Sequence, residues 1–433
     1  MSQTPKSPSP ESTGLQSLLR AFRHRNFRLY FSGQIVSIAG TLVQGVALSW
    51  VVYQLTGSAL LLGLVGFAGQ IPLFLFTPLA GVFVDRHSRH RILVITQTLS
   101  MVLALLLAAL AYGRCLNVWG IVVLNVIGGV IAAIDMPSRQ AFIADMVGNG
   151  PDLSNAVALN SFTFNGSRII GPAVGGVLLA AVSPAFCFLL NGLSFIAVIW
   201  ALLAMRLDPP QPRQNDSGPA HRELLEGFRY AWHSAPIRAI LALVTLGGLM
   251  GAAQGVLMPI FAVQIFHGGP HILGCLIAVP GIGALAAGVC LAWRKTVFGA
   301  ETQIAGGAIL CGVGLLIFSQ SRWLPLSLGA SMLVGFGMVT LFALSNTVLQ
   351  TLVDDDKRGR VMSLFSTSIM GMMPFGSLLG GFLAHQFGAP FTVAVCGLVC
   401  IAGGGYFALK LPALQRLTFL IYQQKGILPG IVK

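Results

Sequence analysis

Gly81-Val82-Phe83-Val84-Asp85-Arg86-His87-Ser88-Arg89-His90-Arg91 joins two long apolar runs, at about residues 58–84 and 91–113. The stretch sets one carboxylate, Asp85, among Arg86, Arg89 and Arg91 in a turn too short to leave a membrane surface. A solvated charge run beside any membrane helix would account for the arginines. It would not account for a glycine spaced four residues before the acid. What lies on either side of this turn therefore decides the fold.

Outside the turn the chain is short of charge. Ordinary soluble domains carry roughly 25% charged residues, whereas this one has 9%, with 55% hydrophobic residues and a mean hydropathy of +0.81. A soluble core of that composition would have no surface, so the chain is read as an integral membrane protein. A spanning helix needs about 20 apolar residues, and 433 residues can hold a dozen. Further apolar runs fall near 28–55, 116–146, 153–182 and 184–206, then at 237–267, 270–294, 302–319, 322–352, 359–386 and 389–410. The spacing predicts twelve transmembrane helices.

The first 14 residues are polar and rich in Ser and Pro, without the apolar core of a signal peptide. They are read as a disordered tail, 1–14. Leu15, Leu18, Leu19 and Phe22 then fall at helical spacing among arginines, which predicts a short helix on the membrane surface. That helix opens a first six-helix bundle, 15–206. A polar linker, 207–235, follows, ending in an amphipathic segment with Leu224, Phe228 and Trp232 on one face. The second bundle covers 236–410, and 411–433 is read as a tail. Seven cysteines lie in or beside apolar runs without metal-type spacing and are read as packing residues.

A net charge of +13 could suggest nucleic acid, but its distribution explains it as topology. Placing the N-terminus in the cytoplasm puts the basic residues at 20–28, 86–91, 206–229, 294–295 and 357–360 inside. Only Arg114 and Arg322 are left for the outer loops. Both termini are therefore expected inside, and no nucleic-acid partner is expected. An internal repeat supports two equivalent halves: Leu18-Leu19-Arg20-Ala21-Phe22-Arg23 returns as Leu224-Leu225-Glu226-Gly227-Phe228-Arg229, at an offset of about 206 residues. Gly175-Gly176-Val177-Leu178 returns as Gly380-Gly381-Phe382-Leu383 at nearly the same offset.

Gly81-x-x-x-Asp85-Arg86-x-x-Arg89 resembles the loop signature between the second and third helices of the major facilitator superfamily. Arg168-Ile169-Ile170-Gly171-Pro172-Ala173-Val174-Gly175-Gly176 is similar to that family's fifth-helix antiporter motif. The resemblance implies an all-α membrane protein of twelve helices in two pseudo-symmetric six-helix bundles related by an axis along the membrane normal. It also implies that Asp85, with Gly81, Arg86 and Arg89, latches against Arg358 and Arg360 at the start of the eleventh helix. Gly171, Gly175 and Gly176 would let another helix approach closely, while Pro172 permits a bend. These small residues would seal the outer side against the opposite half, or simply pack helices.

Ionisable residues inside a bilayer are informative because they are expensive there. Asp135 lies 17 residues into the fourth run from Val118, about 26 Å at 1.5 Å per residue. Arg168 sits at a similar depth in the fifth run, and Arg139 is one turn below Asp135 on the same face. One reading makes Asp135 the proton-responsive group, with Arg139 and Arg168 setting its proton affinity. The other makes the three a permanent structural ion pair, since arginines hinder protonation of a carboxylate. Candidate cavity residues are neutral or soft: Gln44 and Asn165 in the first half, and Gln254, Asn346, Ser366 and Met370 in the second. Such a wall suits a bulky amphiphile.

No phosphate-cradling G-x-x-x-x-G-K-[ST], no G-x-S-x-G and no metal-spaced His/Cys set is present. Neither enzyme activity, a cofactor nor a bound metal is expected, and an ion gradient or the substrate's own gradient must supply the energy. Phe22-Arg23-His24-Arg25-Asn26-Phe27, Pro137-Ser138-Arg139-Gln140-Ala141-Phe142 and Arg358-Gly359-Arg360-Val361-Met362-Ser363 are similar to the branch holding enterobactin exporters and macrolide efflux proteins. That branch implies a monomeric proton antiporter of the bacterial inner membrane, exporting a siderophore or bulky drug by alternating access. The alternative is a lysophospholipid transporter without strict proton coupling.

Overall fold

The computed structural model describes residues 20–148, 151–205, 228–293 and 299–424. The expected tail 1–14, most of the linker and the last nine residues lie outside them. A single turn, Arg20–Arg23, leads into six helices: α1 (Arg25–Thr56), α2 (Ala59–Arg86), α3 (Arg89–Tyr112), α4 (Val118–Val147), α5 (Pro151–Ala181) and α6 (Pro184–Leu203). The second half holds α7 (Ala235–Val256), α8 (Pro270–Ala292), α9 (Ala300–Gln320), α10 (Leu324–Leu352), α11 (Asp355–Met370), α12 (Met373–Phe387) and α13 (Ala389–Gln424). Residues 228–233 of the amphipathic segment are helical. The last helix carries on through Pro412 well into the stretch read as a tail.

Local signals set these boundaries. Gly57 ends α1 at φ 59°, a left-handed turn that a side chain would strain. Ser58 then caps α2, its hydroxyl accepting from the Leu61 N–H at 3.3 Å. Asn117 caps α4 in the same way, accepting from Gly120 at 2.8 Å. Eleven helices among the described residues are long and apolar enough to cross a membrane. A further helix, α5, has 31 residues and reaches about 46 Å, with Ile169–Ala181 its apolar stretch among the described residues. Counted as a twelfth traverse, it brings the start of α1 and the end of α13 to the same end, which also carries the Gly81–Arg91 turn. It is called the basal end below, and the opposite one the distal end.

Two of the predicted runs are interrupted. The seventh traverse leaves α-geometry at Leu257, re-forms over Met258–Ile260, and finishes as a π-helical turn, Phe261–Ile265. Pro259 supplies no N–H to the preceding turn. The eleventh breaks at Gly371-Met372, just before Pro374. Broken helices of this kind occur in transporters where the freed backbone lines a cavity or is buried in protein.

Helices in a bilayer gain little from the hydrophobic effect, so close backbone packing holds them together. Within the second half, a Cβ on Gly312 of α9 would fall 2.6 Å from the Gly397 carbonyl oxygen of α13. The halves themselves touch along α5 with α8 and along α2 with α12.

Candidate functional site

Asp135 is 8% exposed and sits in the middle of the first half. The α3 helix brings two neighbours to it: the Thr96 hydroxyl and the Gln97 amide each donate to Asp135 Oδ1 at 2.7 Å. Arg139, one turn along α4, pairs with Asp135 Oδ2 through its Nε. From α1, the Gln34 carboxamide, with its oxygen turned to the guanidinium, accepts from Arg139. Buried Tyr30 hydrogen-bonds Gln34. Three helices thus converge on one ion pair whose carboxylate is paired and hydrogen-bonded, the arrangement a buried charge requires. One acceptor is left over: Gln97 Oε1 is buried and has no partner.

At the basal end Arg89 joins three helices. Its guanidinium donates to both carboxylate oxygens of Asp145 on α4 at 3.0 and 3.2 Å, and to Asp85 at the end of α2 at 3.3 Å. The Arg89 side chain is 11% exposed. Asp85 therefore pairs inside its own half, and Arg358 donates to the Gln350 carbonyl inside the other. The latch expected between Asp85 and the start of α11 is not formed in this conformation. Phe74 of α2 touches the second half, against Gly371 and Phe375. Beyond it Leu75, Phe76, Leu79 and Phe83 are exposed. Gly81 faces open space. Replacing Arg89 by Gln should lower stability by about 2–3 kcal/mol, since two carboxylates lose a charged donor. A fall in the thermal unfolding midpoint of the detergent-solubilised protein would register it.

Also basal, Asp152 at the start of α5 anchors the entry segment. It pairs with Arg20 at 3.2 Å and with the His24 ring at 3.1 Å, and Asn155 accepts from the Ala21 N–H. The His24 hydrogen bond and the Arg20 charge hold the Asp152 carboxyl below its ordinary range. A depressed carboxyl stabilises the folded form above that ordinary range, and the contribution is lost as pH falls through the folded value. Acid-induced release of the entry segment, read by proteolysis near residue 20, should disappear as a pH-dependent event in Asp152→Asn, which is released at all pH values.

The distal end is closed. A Cβ on Gly176 of α5 would fall 2.6 Å from the Gly274 Cα of α8, and one on Gly274 would fall 2.7 Å from the Pro172 carbonyl oxygen. The mirror contact joins Gly381 of α12 to Gly63 of α2, again at 2.7 Å. Two polar contacts lie beside them: Gln70 Nε2 donates to the Ser377 hydroxyl at 3.3 Å, and Tyr53 hydrogen-bonds Gln264. Only part of the antiporter-like motif faces the other half. Gly171 and Gly175 pack against Leu42 and Val43 of α1, in their own half.

A family model described as transmembrane secretion effector matches residues 16–420. The chain belongs to this family of major facilitator transporters. Among its relatives is the multidrug efflux pump Tap of Mycolicibacterium fortuitum, 28% identical, covering 88% of this chain and 94% of that one. The staphyloferrin A transporter of Staphylococcus aureus is 25% identical over 88% and 95% of the two chains. Macrolide efflux protein A of Streptococcus pyogenes is 24% identical over 88% and 96%. A bacterial homologue of the lysosomal transporter Spinster, solved in an inward-facing, unoccupied conformation, shares the fold with a TM-score of 0.69 at 12% identity, over 95% of this chain and 98% of that one.

In this facilitator the candidate cavity residues divide. Asn346, Ser366 and Met370 are at least partly accessible on α10 and α11, beside exposed Thr347, Gln350, Ser363 and Thr367. Gln254 is buried, and Gln44 accepts from Asn191 of α6 at 2.8 Å, so it is held within the first half. Asn165 and Arg168 lie on α5, but their side chains lie outside the described residues. The transporter's Asp135 cluster also contains Thr96, Gln97, Gln34 and Tyr30, which sequence reasoning passed over. Polar residues of α3 at consecutive positions inside an apolar run were the available signal. Glu301 lies buried in the first turn of α9.

Proposed function

We propose that the protein is a proton-coupled exporter of the bacterial inner membrane, carrying a bulky amphiphilic drug or siderophore outward by alternating access. The basal end is cytoplasmic in this reading, because nearly all basic residues of the loops fall there. The arrangement described above is then an inward-open state. One observation carries the proposal: the halves are packed backbone to backbone at the distal end, while at the basal end Asp85 pairs with Arg89 of its own half rather than with α11. A molecule shut at one end and unlatched at the other is what alternating access requires. The neutral surface of Asn346, Ser366 and Met370 fits an amphiphile, and the relatives named for drugs and a siderophore agree with that chemistry.

Energy enters through Asp135, the acid that three helices of the first half surround. Proton binding there releases Arg139, whose other partner is Gln34 of α1, and so changes how α1 and α4 are held. Inside-out vesicles test the function with a panel of macrolides, siderophores and lysophospholipids. An acid-inside gradient should drive drug or siderophore into the lumen. Transport of lysophospholipid alone, indifferent to the gradient, would overturn the proposal.

A further inference from the structure

We infer that Gln97 is the residue that reports the protonation state of Asp135, by turning its carboxamide through half a circle when the acid takes up a proton. The inference rests on the proton-coupling role proposed for Asp135. Its basis is the uneven way Gln97 is held. The amide nitrogen donates to Asp135 Oδ1 at 2.7 Å, whereas Oε1 is buried without any partner. Gln97 is only 1% exposed, and a buried acceptor left unpaired is destabilising.

Being pinned at one end only makes the turn inexpensive. While Asp135 is ionised, both of its oxygens accept hydrogen bonds, and the amide N–H must face it. Once protonated, the acid carries an O–H that needs an acceptor. Turning the amide presents Oε1 to that O–H. One hydrogen bond is broken, one is made, and the far end of the amide is unpartnered in both states. The proton comes from solvent and stays on the carboxyl, so no other group need change its charge.

Of the other polar groups around the carboxylate only Thr96 has an acceptor to offer, since its hydroxyl can donate to the Leu93 carbonyl and accept through its oxygen. It needs no turn to do so, which leaves Gln97 as the group whose orientation changes. Arg139 on α4 is a cation and offers no acceptor. Tyr30 and Gln34 on α1 face the guanidinium rather than the acid. His90, the nearest histidine on α3, is bonded to the Leu202 carbonyl at 2.8 Å. On α2, Asp85 is engaged by Arg89 at the basal end. Arg168 on α5 has its side chain outside the described residues.

The test is the pH profile of gradient-driven transport for the wild type, Gln97→Met and Asp135→Asn. Methionine fills the space but neither donates nor accepts. A hydrogen bond to a charged oxygen is worth more than one between neutral groups, so its loss should raise the proton affinity of Asp135 by about fivefold. The midpoint of the profile then moves to higher pH. An unmoved midpoint in Gln97→Met, with coupling still lost in Asp135→Asn, overturns the role of Gln97 and leaves the coupling proposal standing. Coupling that survives in Asp135→Asn overturns both. Should Gln97→Met fail to fold, infrared difference spectra of the wild type across the same pH range supply the answer. A glutamine amide band that shifts together with the carboxyl band is expected, and a carboxyl band that changes alone contradicts the turn.

Discussion

Gly176→Val is expected to reduce transport by at least about fivefold while leaving folding intact, because the new side chain would have to occupy the space filled by α8. Its Cβ would fall 2.6 Å from the Gly274 Cα and 2.9 Å from the Pro270 carbonyl oxygen, both backbone atoms that cannot step aside. Overpacking of this kind costs about 1–3 kcal/mol, equivalent to a shift of about 5- to 150-fold between two conformations. Only the distal-closed state carries the cost. The protein should therefore accumulate with its distal end open, and a thiol-reactive probe should reach a cysteine placed on the distal part of α8. Gly175→Ala is the control, since Gly175 packs on Val43 of the same half. It should affect yield or thermal stability without changing which end is open. Transport by Gly176→Val at the wild-type rate would mean that the α5–α8 contact is not part of the cycle.

Removing the charge at Asp135 should abolish stimulation of transport by a proton gradient. The single change has a complication, because Asp135→Asn leaves the Arg139 guanidinium facing an amide, and breaking one side of a buried pair is destabilising by about 3–5 kcal/mol. Asp135→Asn with Arg139→Gln removes both charges together and should recover much of that stability. The double variant separates the two readings of the pair. A permanent structural ion pair could be replaced by neutral groups with gradient-driven transport intact. A proton-coupling pair could not, and the double variant should then carry substrate only down its own gradient. Counterflow and gradient-driven uptake, measured in the same vesicles, distinguish these outcomes.

Much of the architecture was legible because membrane helices announce themselves by length and apolarity. The turn at Gly81–Arg91 could be placed between two traverses from its neighbours alone. The repeat was more informative than its weak similarity suggested. In Gly175-Gly176 and its copy Gly380-Gly381, the first glycine of each pair packs within its own half, on Val43 or Ala253, and the second meets the opposite half, at Gly274 or Gly63. Periodicity could not reveal the breaks at Leu257 and Gly371, because an apolar run reads the same whether its backbone is continuous or not. Asp135 and Arg139 stood out as charges in an apolar run. Their neutral partners did not, because Thr96 and Gln97 matter only once α3 lies against α4.

The conformation was the least legible part. Asp85 and the arginines Arg358 and Arg360 carry opposite charges in any state of the cycle, and only the structure shows Asp85 paired with Arg89 of its own half instead. The most direct test of two rocking halves is a distance between spin labels at Leu79→Cys on α2 and Ser363→Cys on α11, both exposed in this structure, in a background without the native cysteines. In the Gly176→Val background the distance should shorten relative to its parent as the basal end closes and Asp85 approaches α11. An unchanged distance, with the distal end still shut, would contradict alternating access by these two halves.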